Sequence, residues 1–148
     1  MTPQMGQKEV FMENYFDPNF TPAQVNAMSS LALALVGDGA YELLCRVYLS
    51  AQGTKTVLNL HKSTVELVKA PAQAKLAEAM LPQLTEEEQG YFRRGKNAHT
   101  HAAPKSASRK EYALATGLEA LFGALYLLGQ AERLNDLFLQ AMEEVYGV

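Results

Sequence analysis

The chain has 148 residues, of which 48% are hydrophobic, and a formal net charge of −3. This length supports one domain with a buried core and leaves no room for a second domain of similar size. A single cysteine, Cys45, excludes an internal disulfide and suits a reducing compartment. The N-terminus lacks the pattern of a secretory signal, and the apolar run 120–128 is too short to span a bilayer. We therefore expect a cytoplasmic protein with no membrane partner.

The hydrophobic periodicity predicts helices along most of the chain. Residues 1–20 form an N-terminal extension that packs on or precedes the domain, which comprises residues 21–148. Thr21 caps a first helix, in which apolar residues recur at helical spacing over 23–49. Strand alternation is absent, so the expected fold class is all-α with about six to seven helices. The further helices are predicted over residues 57–68, 71–81, 85–95, 108–128 and 130–146, and capping boxes are predicted at Thr85–Glu88 and Ser108–Glu111.

Positive charge is concentrated in residues 93–110, which carry six basic residues, two histidines and no acid. The remainder of the chain then has seven basic and sixteen acidic residues, a balance of −9. A local charge of +6 on that background indicates contact with an anionic partner, although a solvated loop with ordinary basic residues explains it equally well. The six basic residues are Arg93, Arg94, Lys96, Lys105, Arg109 and Lys110.

Two acids lie within the most apolar helices. Asp38 stands between Gly37 and Gly39 in the apolar run 31–42, and Glu119 lies in the middle of the predicted helix 108–128. The glycines favour a kink and let another group approach closely. Neither acid has a basic residue three or four positions away, and a buried carboxylate needs a partner. A shared Mg²⁺ would satisfy both, and a distant lysine, hydroxyl or water is an equal alternative.

The other titratable residues have ordinary interpretations. Glu42 precedes Arg46 by four residues, which favours an ion pair within one helix. Cys45 lies in an apolar helical pattern and is expected to be a buried thiol. Three histidines are too scattered for a histidine-rich metal site, and a surface role or a position near the anionic partner is expected for each: His61, His99 and His101.

Several motifs together resemble the ribonuclease III family. Val36-Gly-Asp-Gly-Ala-Tyr-Glu42 is similar to the signature helix of that family, and residues 118–127 are similar to its second acidic helix. The ordered set covers roughly residues 28–146. Three further motifs resemble one branch, Mini-ribonuclease III, which lacks the double-stranded-RNA-binding domain: Leu60-His-Lys-Ser63, Gln73-Ala74 and Arg94-Gly-Lys-Asn97.

The resemblance implies a homodimeric, Mg²⁺-dependent endonuclease that hydrolyses double-stranded RNA, leaves 5′-phosphates and matures 23S ribosomal RNA during ribosome biogenesis. Asp38 and Glu119 would be the catalytic metal ligands, around a metal that activates water and neutralises phosphate charge. A ribosomal protein is a further candidate partner. The basic segment fits an RNA contact, because A-form RNA is recognised mainly through phosphates and 2′-hydroxyls. The expected RNA-binding residues are Lys62, Lys69, Arg93, Arg94, Lys96, Asn97 and Lys105.

The sequence departs from full-length ribonuclease III at positions that matter for metal binding. Ala34 and Thr116 stand where that family has a glutamate and an aspartate, and Leu31 is likewise apolar. A four-carboxylate cluster is therefore impossible, and metal binding should be weaker, although the Thr116 hydroxyl is available to orient a water. The alternative function is a non-catalytic double-stranded-RNA-binding or ribosome-associated helical protein on the same fold. A purely structural bundle leaves the +6 segment unexplained.

Overall fold

The computed structural model describes residues 12–98 and 107–148, and over these ranges it contains helices and no strand. The all-α prediction is confirmed. None of the helices in the described ranges is long and apolar enough to cross a membrane. The elements are α1 (Pro22–Asn26), α2 (Ser30–Ala51), α3 (Val57–Val68), α4 (Ala70–Met80), a 3-10 turn (Leu81–Gln83), α5 (Glu86–Lys96), α6 (Arg109–Leu127) and α7 (Ala131–Tyr146).

The prediction of one helix over residues 23–49 is wrong, because the chain breaks after Asn26. Ser29 has an extended backbone, and its side chain accepts a hydrogen bond from the Ala32 amide, which starts α2. A serine cap can begin a new helix inside an apolar pattern without changing the periodicity. The helix α2 then runs uninterrupted through Gly37 and Gly39.

The predicted capping boxes are confirmed at two helix starts. Thr85 and Glu88 exchange side-chain and backbone hydrogen bonds at the start of α5, and Ser108 and Glu111 do the same for α6. At the other end of α6, Gly129 adopts φ +81°, a conformation that side chains rarely tolerate. Helices α5 and α6 therefore begin and end close to the predicted positions.

The central helix is α6, which contacts α2, α4, α5 and α7. Its apolar residues pack with Tyr41, whose ring makes edge contacts with Phe122 and Phe138 at centroid distances of 5.5 and 6.3 Å. The Tyr41 hydroxyl donates to the Leu67 carbonyl at 2.8 Å and joins α2 to the end of α3. Cys45 is buried, as predicted, and burial raises the pKa of its thiol to about 12.

Two glycines allow α2 and α6 to cross at very short range. A Cβ atom on Gly37 would lie 1.6 Å from the Glu119 carbonyl oxygen, and one on Gly123 would lie 1.9 Å from the Leu33 carbonyl oxygen. A Cβ on Gly39 would meet no atom within 4 Å. Of the two glycines that flank the acid of α2, only Gly37 is therefore required for the close approach. The crossing brings the centres of the two acidic helices together.

The segment before α1 lies along the C-terminal end of α6. The Phe20 amide donates to the Leu127 carbonyl at 2.8 Å, and the Tyr126 hydroxyl donates to the Phe16 carbonyl at 3.2 Å. Within the predicted extension, residues 1–11 lie outside the described residues.

Candidate active site

A cleft of about 350 Å³ opens between α2, α4 and α6, and it contains both acids singled out in the sequence. Helix α2 supplies the carboxylate of Asp38, α6 supplies that of Glu119, and the start of α4 forms the third side of the cleft. Apolar residues line the remainder, including Leu31 and Ala34. The polar lining residues are Asp38, Gln73, Tyr112, Thr116 and Glu119.

The expectation that both acids are buried in the apolar core is wrong for Asp38. This residue is exposed, whereas Glu119 is half-buried. Leu31 and Leu35, two turns and one turn earlier on α2, are also exposed, at 46% and 74%. The apolar run around Asp38 therefore belongs partly to an uncovered face of α2, and hydrophobicity alone does not distinguish such a face from a core face.

The two carboxylates influence each other electrostatically. The pKa of Glu119 is raised to about 7, mainly by burial and next by the negative charge of Asp38, while a hydrogen bond from Gln73 opposes the shift. None of the ion pairs found over residues 12–98 and 107–148 includes either acid. The cleft therefore holds two neighbouring acids without a basic side chain paired to them.

The donor set suits a hard divalent cation that keeps most of its water. The described part of the chain contains no group of three or more His, Cys, Asp or Glu side chains arranged to hold a metal. Two carboxylates are nevertheless a sufficient protein contribution for Mg²⁺, which is commonly bound through one or two carboxylates plus waters and phosphates. Asp38 and Glu119 fit that role.

Two residues that replace acids of full-length ribonuclease III also line this cleft. Ala34 and Thr116 are nearly buried, at 6% and 7% exposure. The Thr116 hydroxyl donates its proton to the Tyr112 carbonyl at 2.9 Å. It can therefore act toward a bound water only as an acceptor, which narrows the water-orienting role expected from the sequence.

The sequence interpretation of the neighbouring charged residues is largely confirmed. Glu42 and Arg46 form the expected ion pair along α2. His61 is exposed on α3, where it lines a separate depression with Lys62. His99 and His101 lie outside the described residues.

Most of the predicted RNA-binding side chains that the structure describes are exposed. They lie on two elements, α3 with its C-terminal junction and the end of α5. Lys69 also pairs with Glu66 at 2.7 Å, an exposed contact that contributes little stability. Lys105 lies outside the described ranges. The exposed members are Lys62, Lys69, Arg93, Lys96 and Asn97.

Arg94 differs from these residues because its side chain is engaged within the protein. Its guanidinium donates to the Met28 carbonyl and, at 3.3 Å, to the Ser30 hydroxyl. These bonds tie α5 to the turn between α1 and α2. The charge pattern alone gave no sign of this structural role, so replacing Arg94 would disturb the fold as well as any RNA contact.

The residue that sequence reasoning missed is Gln73. It appeared only as part of a motif, yet its side chain is 3% exposed and its amide reaches the carboxylate of Glu119 at 3.4 Å. In the sequence, only its position as a polar residue among alanines at the start of α4 indicated a special role for Gln73. Only the packing of α4 on α6 shows which group this side chain contacts.

The sequence matches a known domain family and relatives from several bacteria. Residues 31–130 match the model of the ribonuclease III domain. The chain is 48% identical over 113 residues to Mini-ribonuclease 3 of Symbiobacterium thermophilum, covering 76% of this chain and 87% of the relative. It is 42% identical over 137 residues to Mini-ribonuclease 3 of a Thermoanaerobacter species, covering 90% and 95%.

A solved structure shows the same fold. The crystal structure of a Fusobacterium nucleatum protein superposes with a TM-score of 0.72 at 31% identity, covering 82% of this chain and 97% of that one. The chain belongs to the ribonuclease III family, in its Mini-ribonuclease 3 branch.

Proposed function

We propose that the protein is an Mg²⁺-dependent endonuclease that hydrolyses phosphodiester bonds in double-stranded RNA and leaves 5′-phosphates. The observation that carries this proposal is the cleft in which Asp38 and Glu119 face the same space without a basic partner in the described part of the chain. Two adjacent carboxylates repel each other, and a divalent cation between them removes that repulsion. Membership of a ribonuclease family supports the same chemistry.

The two acids have different roles in this arrangement. Asp38 is exposed and can bind a cation that also contacts the RNA backbone. Glu119 is half-buried and lies deeper in the cleft. Held by these two carboxylates, Mg²⁺ would supply positive charge at the scissile phosphate and would lower the pKa of a water. Because the pKa of Glu119 is raised to about 7, protons compete with the cation for this carboxylate, and cleavage should weaken as the pH falls below 7.

The proposal is tested by replacing Asp38 with Asn and incubating the protein with a long RNA duplex, with and without Mg²⁺. The wild type should give discrete fragments only with Mg²⁺, and the variant should be slower by at least about 10²-fold. Asp136→Asn, the same change at an exposed site on α7, is the matched control and should cleave normally. Undiminished cleavage by Asp38→Asn would contradict the proposal. A wild type that binds the duplex without cutting it would favour the non-catalytic alternative.

The RNA contact is proposed to include the exposed basic residues at the end of α5. Phosphate contacts make affinity fall with salt, and each lost contact lowers that slope by about one unit. The double variant Arg93→Ala/Lys96→Ala should therefore bind duplex RNA with a smaller salt slope and an unchanged melting temperature. Lys75→Ala, an exposed lysine of α4, serves as the control. An unchanged slope in the double variant would count against this contact.

A homodimer is proposed on the uncovered face of α2. Leu35, Leu43 and Val47 are 74%, 55% and 58% exposed, and Leu43 and Val47 line a largely apolar groove of about 440 Å³. Apolar surface of this kind marks an interaction site, and a face shared by both copies suits two-fold symmetry. Leu35→Asp should give a monomer in sedimentation, while Val57→Asp, on an 85% exposed residue of α3, should not. If the Leu35→Asp variant still sediments as a dimer, the proposed interface is wrong.

The proposed substrate in the cell is the 23S ribosomal RNA precursor, in the cytoplasm, with a ribosomal protein as candidate partner. Family membership is the support for this proposal. Incubating a precursor transcript with the protein and Mg²⁺, with and without total ribosomal protein, tests it. Cleavage at random positions throughout the transcript would count against a role in maturation.

A further inference from the structure

Gln73 brings a neutral amide into the acidic cleft. Its side chain is 3% exposed in the first turns of α4, and its Nε2 donates to Glu119 Oε2 at 3.4 Å. Among the described side chains that are both buried and polar, it is the one that bonds a cleft carboxylate. The other three bond elsewhere, namely Thr64 to the Leu60 carbonyl, Thr116 to the Tyr112 carbonyl and Glu88 to Arg133.

The local sequence leaves this amide in a confined position. Ala72 and Ala74 on either side are 5% and 3% exposed, so α4 presents small residues where it packs on α6. Burying an amide without a hydrogen-bond partner costs about 1–3 kcal/mol. An apolar side chain of similar length would fill the same space without that cost. Packing therefore does not account for a glutamine at this position, whereas its bond to Glu119 does.

The chemistry of an amide suits a metal-binding carboxylate. One N–H donated to Oε2 fixes the carboxylate orientation and leaves the other oxygen of Glu119 free for a cation. A lysine would form an ion pair with Glu119, and its charge would repel the cation. A neutral donor has neither effect. Hydrogen bonds of this type commonly orient metal ligands.

We propose that Gln73 is a positioning residue that holds the Glu119 carboxylate toward the space it shares with Asp38, in the orientation that receives the divalent cation. The inference rests on the proposed function, because it assumes that a cation binds between these two acids. It assigns Gln73 no contact with RNA or with the reacting phosphate. Its effect should therefore appear in metal affinity and not in the rate at saturating metal.

The test uses Gln73→Met, which keeps the length of the side chain and removes the amide. Gln89→Met is the matched control, because the Gln89 amide is half-buried and donates to the Leu84 carbonyl at 3.2 Å, outside the cleft. Two quantities are measured, the Mg²⁺ concentration that gives half-maximal duplex cleavage and the Mg²⁺ dissociation constant of the RNA-free protein by calorimetry. Melting temperature reports on the fold.

Gln73→Met should raise both Mg²⁺ constants by about 10–100-fold, with cleavage restored by excess Mg²⁺. Gln89→Met should leave both unchanged. If Gln73→Met fails to fold, Gln73→Asn replaces it, since a side chain shorter by one methylene withdraws the donor from Glu119 and should weaken Mg²⁺ binding similarly. Unchanged Mg²⁺ constants in a folded variant, beside an active wild type, would overturn the inference alone. A wild type that neither binds Mg²⁺ nor cleaves would overturn the proposed function and this inference with it.

Discussion

Two glutamates that are shielded from solvent, Glu88 and Glu119, have opposite electrostatic surroundings. Glu88, at the start of α5, is 5% exposed and accepts two hydrogen bonds from the Arg133 guanidinium of α7, at 2.8 and 2.9 Å. These bonds, with those from Thr85, hold the pKa of Glu88 below its usual range despite its burial. Glu119 has a neutral amide and a second acid beside it instead, and its pKa is raised to about 7.

The difference separates an acid that stabilises the fold from one that binds a cation in the proposed function. The carboxylate of Glu88 caps a helix and pairs with a guanidinium, so its charge is compensated within the chain. In the proposed function, a cation from solution compensates the charge of Glu119. A half-buried acid whose pKa is raised by burial and by another acid marks a functional site.

The largest expected effect comes from separating the helices that bring the two acids of the cleft together. Gly123→Ala places a Cβ 1.9 Å from the backbone oxygen of Leu33, and a backbone atom cannot rotate away. We expect a loss of about 3 kcal/mol or more in the free energy of unfolding, above the usual cost of overpacking, together with loss of cleavage. Chemical denaturation of the purified variant measures the first effect.

Gly90→Ala is the control for the glycine change. Gly90 lies inside α5, and a Cβ there meets no atom within 4 Å. Removing a glycine from a helix interior should stabilise the protein by up to about 1 kcal/mol. Equal stability of Gly123→Ala and Gly90→Ala would contradict the close crossing of α2 and α6.

Helix periodicity and capping residues predicted most of the fold, because both are local properties. The apolar spacing of residues 57–68 and the Ser108–Glu111 box each placed a helix end within a residue or two. The break after Asn26 was missed because Ser29 starts a new helix without interrupting the apolar pattern. Periodicity reports which face of a helix is apolar and not whether the backbone is continuous.

The site was only partly predictable. Its two acids were identified from the sequence, but the groups around them were not. Asp38 was expected to be buried, yet its apolar neighbours belong to an exposed face of α2. The roles of Gln73 and Arg94 depend on contacts across 46 and 64 or more positions in sequence. Such contacts follow from how helices pack, and no local pattern of residues specifies them.

Removing the charge of Glu88, which pairs with Arg133, should lower stability in a pH-dependent way. Glu88→Gln should lower the free energy of unfolding at pH 7 by about 2–3 kcal/mol, less than for a fully buried pair because the Arg133 side chain is partly exposed. The folded-state pKa of Glu88 lies below its ordinary 4.5, so its contribution is present above pH 4.5 and is lost as the pH falls through the folded-state value. Denaturation at several pH values measures this, and a loss of stability that does not change with pH would contradict the ion pair.

Glu119→Gln should have the opposite and smaller effect in the absence of metal. The folded-state pKa of about 7 exceeds the ordinary 4.5, so the contribution of Glu119 to stability is most favourable below pH 4.5 and is lost as the pH rises through 7. In EDTA at pH 8 the variant should therefore be more stable than the wild type by about 1–2 kcal/mol, after allowance for partial exposure.

Adding Mg²⁺ at pH 8 should reduce or reverse the stability difference between wild type and Glu119→Gln. A ligand that binds the folded state stabilises it according to its concentration relative to its dissociation constant. The wild type, with both carboxylates, should gain stability with each increase in Mg²⁺, whereas Glu119→Gln should gain little. Thermal denaturation across a Mg²⁺ series measures both proteins. Parallel gains would show that Mg²⁺ binds away from Glu119 and would contradict its role as a metal ligand.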